Sequence, residues 1–210
     1  TLFHEFGHML HAFFTSSPYA SLADMPWDAV ELPSQLMENW GWDKGILRSI
    51  SSHYRSQDPL PDDLFEKMHA ARNFRQGSVI TWLLRYSLLD LKLHMDYTPE
   101  RDGDLAGFSR KFLEPFTPGK MEDYDIRLNR FLHLFAGEYA AGYYSYLWAL
   151  VLACDAYSRF EKEGLLNRAT GEDFRQKVLN PGESVELLEA YNQFMRRHPK
   201  APPDIDALFK

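Results

Sequence analysis

The chain has 210 residues, 45% of them hydrophobic and 25% charged, and a formal net charge of −7. That is enough apolar material for one substantial core or two small ones, and it excludes a disordered chain. The acidic balance excludes a nucleic-acid-binding surface, which needs clustered Lys and Arg, and favours peptides or other neutral-to-cationic partners. Cys154 is the single cysteine, so no internal disulfide can form and a reducing, cytoplasmic setting is the simplest expectation. The longest apolar run, Leu147 to Cys154, is far too short to span a bilayer, so no membrane partner is expected.

Apolar residues recur with helical period almost throughout, and no stretch alternates strictly as a half-buried strand does, so the sequence predicts an all-α fold. A first helix is expected from about Leu2 to Phe14, ending near Ser16-Ser17-Pro18. After a loop of small residues a second begins somewhere between Asp28 and Ser34: Asp28 and Glu31 have capping-box spacing, whereas Pro33 prefers a first-turn position. It should continue through Trp40, bend around Gly41 to Gly45 and resume through His53. Asp58-Pro-Leu-Pro61-Asp-Asp reads as a turn and an N-cap opening a helix from Asp63 to Arg75, with Gly77 separating it from a scaffold helix, Ser78 to Met95. From Tyr97 to Tyr124 prolines and glycines multiply and the helical period weakens, apart from a short turn near Leu105 to Leu113; a connection of this kind over a cleft often carries function. Tyr139 to Glu163 reads as a second long helix closed by Gly164. Shorter helices near Gly171 to Leu179 and Ser184 to Arg197 precede a proline-broken tail. There is no repeat, low-complexity segment or clear domain linker.

The chemistry concentrates at the start, in His4-Glu5-Phe6-Gly7-His8. On a helix the two histidines lie four apart on one face, so both imidazoles can reach one metal ion at ~2.0–2.1 Å. Glu5, just off that face, can take a proton from water held at the metal. The competing reading is an ordinary helix with two histidines, because so short a pattern recurs by chance. A catalytic zinc needs a third protein ligand and keeps a fourth position for water. His11 is not that ligand: with His4 and His8 it would span two turns, too long a row for one tetrahedral ion. Neither does the chain carry the Gly and His that a metzincin has at positions 11 and 14. A Glu from a second helix remains, and Glu31 in Trp27-Asp-Ala-Val-Glu31-Leu-Pro-Ser-Gln-Leu-Met-Glu38-Asn-Trp40 is well placed. Seven residues on, Glu38 is either a surface carboxylate or a group that orients a ligating imidazole. Only Thr1 is available to cap the first helix, which reads as the start of a fragment whose upstream localisation signals would be invisible.

These two segments resemble the thimet oligopeptidase family of zinc metallopeptidases, and most of all its bacterial oligopeptidase A branch. The resemblance covers essentially the whole chain, but only the C-terminal third or so of a typical family member. It implies a multi-helical, zincin-type catalytic portion over residues 1–210, one zinc ion held by His4, His8 and Glu31, and Glu5 as general base. In one respect the chain departs from the family: the connection from Thr15 to Met25 is shorter and lacks the family's glycines, which bears on substrate-backbone contacts rather than on the metal.

A second constellation runs from His133 through Gly137, Tyr139 and Tyr143 to Tyr146. The three tyrosines fall at i, i+4 and i+7, one face of a helix start, where phenols can donate to an oxyanion. Alternatively they are an aromatic core stripe. The family has a His, a glycine-rich loop and a tyrosine series in this place. The resemblance therefore makes Tyr143 and Tyr146 catalytic candidates, and His133, Gly137 and Tyr139 substrate-binding candidates. Where the family usually has a second adjacent glycine this chain has Glu138, which restricts the backbone and adds a negative charge. His53, His69, His94 and His198 have no partner pattern, and Cys154 reads as a buried small hydrophobe.

The expected function is zinc-dependent hydrolysis of oligopeptides. Two other readings stand beside it: a zinc-binding but catalytically silent fragment, and a helical interaction domain with an accidental histidine motif.

Overall fold

The computed structural model describes residues 1–117, 128 and 131–209, and no strand occurs among them. Eleven α-helices are described: α1 (Leu2–Phe14), α2 (Leu32–Glu38), α3 (Lys44–Ile50), α4 (Asp62–Ala71), α5 (Gln76–Met95), α6 (Pro99–Asp102), α7 (Leu105–Leu113), α8 (Leu132–Ala136), α9 (Ser145–Glu163), α10 (Arg168–Phe174) and α11 (Leu187–Met195). Among the described residues no helix is long and apolar enough to cross a membrane. The chain divides into two compact units, Thr1–Phe74 with Trp148–Lys210, and Arg75–Leu147.

In the first unit the core gathers Leu32 and Leu36 of α2, Trp40, Leu152, Ala156 and Phe160 of α9, Phe174 of α10, and Tyr191 and Phe194 of α11. Trp40 fixes its place there by donating its indole N–H to the Leu165 carbonyl, 2.9 Å away, with its ring edge-on to Tyr157 and Phe160. α9 ends where Gly164 turns left-handed at φ 108°, its N–H bonding the Phe160 carbonyl. Beyond α10 the backbone widens into one π-helical stretch, Arg175–Leu179. The C-terminal tail is tied back to α9 by Asp155, fully buried, which accepts from Arg197, the Tyr191 hydroxyl and the Asp204 N–H.

The second unit packs Leu89 of α5, Leu113 of α7, Leu128, Phe131, Leu134 of α8 and Tyr143 into a smaller core. Residues 118–124, the end of the proline- and glycine-rich connection read from the sequence, lie outside the described residues. Its other parts are more regular than expected: Leu105–Leu113 is a full helix, capped by Asp104 accepting from the Gly107 N–H.

Several expected boundaries move. α2 starts at Leu32, inside the expected range, because Pro33 occupies the first turn and Trp27–Ala29 forms a separate 3₁₀ turn. Asn39–Trp42 is 3₁₀, and the following α3 ends at Ile50 rather than His53. The break between α4 and α5 falls at Arg75, left-handed at φ 60°, and Gly77 lies inside α5. α9 begins at Ser145, so Tyr139 and Tyr143 stand in the turns before it and not on its first face. Their helix-like spacing comes instead from consecutive tight turns closed by Gly142 N–H to Tyr139 carbonyl and Ser145 N–H to Gly142 carbonyl bonds.

Candidate active site

α1 and α2 touch backbone to backbone. Gly7 sits on the α1 face turned to α2, and a Cβ there would lie 2.4 Å from both the Pro33 carbonyl oxygen and the Ser34 Cα. Nothing but glycine fits at that approach, which brings the next turn of side chains within reach of Glu31. That residue is the N-cap of α2 and only 3% exposed. Its Oε2 lies 3.3 Å from the Nε2 of His4 and 3.3 Å from the Nε2 of His8. Ser34 holds the carboxylate by donating its hydroxyl to the same Oε2 at 2.8 Å. On the far side of His4, Nδ1 lies 2.7 Å from Glu38 Oε1. Because a carboxylate accepts, that bond puts the proton on Nδ1 and leaves Nε2 with its lone pair facing Glu31.

The donor set fits zinc. A tetrahedral ion with ligands at ~2.0–2.1 Å sets neighbouring donor atoms about 3.3 Å apart, the separation of the Glu31 oxygen from each imidazole nitrogen. All three donor atoms lie within 4.8 Å of one another. Contact with Glu31 pushes the His8 pKa above its ordinary value, against the opposing effect of burial and with further help from the charges of Glu31 and Glu5. Glu5 is exposed on α1, outside the donor set and close enough for its charge to act on His8. His11 stays out of the cluster: its Nε2 is buried with no hydrogen-bond partner, and burial lowers its pKa.

In the second unit His133, Tyr139, Tyr143 and Tyr146 come together around one imidazole. The His133 ring centroid lies 5.6, 5.5 and 5.9 Å from those of Tyr139, Tyr143 and Tyr146, all edge-on. Tyr139 stacks on Tyr146 at 5.0 Å. Tyr143 is buried against Phe131, and desolvation, aided by the Tyr146 and Tyr86 phenols, pushes its pKa well up, keeping it a neutral O–H donor. Gly137 ends α8, and a Cβ there would press on the His133 backbone at 3.1 Å. Glu138 and Ala141 both adopt left-handed backbone, φ 63° and 55°.

Residues 1–208 match the sequence profile of peptidase family M3. Over 95% of its length the chain is 43% identical to oligopeptidase A of Salmonella typhimurium, covering 30% of that protein. The chain belongs to peptidase family M3. It is also 39% identical to the organellar oligopeptidase A of Arabidopsis thaliana, over 97% of the chain and 26% of the relative. To the dipeptidyl carboxypeptidase of Escherichia coli it is 38% identical, over 97% of the chain and 30% of the relative. The chain thus spans under a third of the length of these M3 relatives.

Family M3 is the one that the histidine and Glu31 segments resemble. Sequence reasoning passed over two residues that shape the donor triangle, Gly7 and Ser34. For Gly7 the signal was present, a glycine between two candidate ligands on one helix, but its meaning needs the neighbouring backbone. Ser34 lies three residues after Glu31, the spacing at which a hydroxyl reaches back along a helix.

Proposed function

We propose that these residues form the zinc centre of a peptidase acting on short peptides, with one zinc ion per chain held by His4, His8 and Glu31. What carries the reading is the triangle of two imidazole nitrogens and one buried carboxylate oxygen, the oxygen 3.3 Å from each nitrogen; membership of family M3 and the names of the relatives supply the reaction class. Zinc in such a site acidifies a water molecule and polarises a carbonyl.

The chain's own groups do the rest. Glu38 holds His4 in the tautomer that offers Nε2, and Ser34 fixes the Glu31 carboxylate. Glu5, adjacent to a ligand but not one itself, takes a proton from the attacking water and passes it to the leaving amine. Tyr143 and Tyr146 donate O–H groups to the carbonyl oxygen as it gains negative charge, while His133, Tyr139 and the Gly137 backbone contact the substrate. The single cysteine, half-buried and with its thiol pKa raised mainly by desolvation, suits a reducing, cytoplasmic compartment.

The test is Glu5→Gln. It should leave the zinc content at one equivalent and abolish hydrolysis of a quenched fluorogenic oligopeptide; retained turnover would remove Glu5 from the role of base. His4→Ala and Glu31→Ala should lose the metal. A protein that takes up well under one equivalent of added zinc would overturn the metal reading.

A further inference from the structure

On α5, Asp90 is a carboxylate with no exposed surface. Burying a charge is costly unless it is paired or hydrogen-bonded, and a side chain this deep needs partners to persist. Asp90 finds them in the tyrosine-bearing turns. Its Oδ1 accepts the Ala141 N–H at 2.8 Å, and its Oδ2 accepts the Tyr143 N–H at 2.9 Å. His94, one turn on, places Nδ1 2.8 Å from the Asp90 carbonyl oxygen and 3.0 Å from Oδ1.

The turns need such a hold. Glu138 and Ala141 both take the left-handed conformation, which crowds the Cβ of any residue but glycine, and strained backbone persists only where its surroundings fix it. Asp90 grips both sides of Gly142, one oxygen on each amide. The position also suits its charge, since these amides lead into α9 and a helix start attracts an anion.

We propose that Asp90 is a positioning residue for the tyrosine group. It touches neither substrate nor metal; it sets the backbone from which Tyr143 projects and, through ring packing, the neighbouring Tyr146. The inference rests on the reading that Tyr143 and Tyr146 act on the substrate.

Asp90→Asn keeps the shape but replaces one acceptor with an N–H₂ donor facing a backbone N–H, so one of the two amides is left unpaired. The experiment compares the zinc-loaded full chain as wild type, Asp90→Asn, Asp90→Ser and the Tyr143→Phe Tyr146→Phe double variant, reading zinc content, kcat, KM and amide hydrogen exchange across residues 139–147. Expected for Asp90→Asn and Asp90→Ser are unchanged zinc, faster exchange at Ala141 and Tyr143, and a kcat lowered roughly 10- to 100-fold, with KM within about threefold of wild type. Unchanged exchange, or lost protection with full kcat, would overturn the proposal while an impaired double variant leaves the tyrosine reading standing. A fully active double variant would remove that reading, and this inference with it. Should neither Asp90 variant yield folded, zinc-binding protein, Asp90 is a folding residue and not a separable positioning one, and the proposal fails.

Discussion

Gly7 in α1 and Pro33 in α2 are in backbone contact, so close that a Cβ on Gly7 would stand 2.4 Å from the Pro33 carbonyl oxygen. The obstruction is main chain, which cannot swing aside as the end of a flexible side chain can. Gly7→Ala must therefore push the helices apart, and His4 and His8 would then move off the Glu31 carboxylate. We expect destabilisation of about 1–3 kcal/mol, as for other overpacked sites, together with loss of most zinc. Thermal melts with and without added zinc check this; a variant with wild-type metal content would show that the contact does not set the donor triangle.

Glu38 and Ser34 make a second prediction, one that separates holding the metal from holding its ligands. Glu38 fixes the tautomer of His4 and Ser34 the direction of the Glu31 carboxylate. Glu38→Gln and Ser34→Ala should each weaken zinc binding by roughly 10- to 100-fold, the range for such outer partners, without abolishing it. Competition against a chelator of known affinity measures the change. Affinities equal to wild type would reduce both residues to surface and packing roles.

How legible the molecule was in its sequence depended on the range of the deciding contact. α1 runs from Leu2 to Phe14 as its periodicity indicates, because a helix pattern is local and its end at Ser16-Ser17-Pro18 is marked by breakers. The grouping of His4, His8 and Glu31 was also readable, since the two histidines share one helix turn and Glu31 is identifiable by type and position in a second segment. The tyrosine turns were not. Their spacing fits a helix, and what keeps them out of one includes Asp90, an acceptor about fifty residues upstream that no local pattern discloses. Arg75 was missed for a different reason: a left-handed turn at a residue with a Cβ runs against propensity, so the nearby Gly77 was the better guess.

Arg197 and Asp155 supply a stability prediction away from the site. Asp155 is fully buried, and both its oxygens accept from the Arg197 guanidinium. Replacing the two as a pair need not destabilise, but removing the cation alone leaves a buried charge that, among the described residues, keeps the Tyr191 hydroxyl and the Asp204 N–H as donors. Arg197→Met should cost on the order of 3 kcal/mol, and the tail should become the fastest-exchanging part of its unit. Denaturant unfolding at neutral pH tests it. A loss below about 1 kcal/mol would mean that solvent reaching the partly exposed guanidinium already screens the pair.

Glu138 offers the last prediction. At φ 63° it occupies a conformation that glycine adopts freely, in a place where the resembled family usually has a glycine. Glu138→Gly relieves about 1–2 kcal/mol of backbone strain, but the freer glycine returns about 0.5–1 kcal/mol to the unfolded chain. The net expectation is a small stabilisation of at most about 1.5 kcal/mol. Loosening the tyrosines is not expected, because Asp90 holds the turns at Ala141 and Tyr143, beyond the substituted position. Amide exchange at those two residues should therefore match wild type while the melting temperature rises slightly. Faster exchange at Tyr143 in Glu138→Gly would show that stiffness at Glu138, and not the Asp90 carboxylate alone, keeps the tyrosine turns in place.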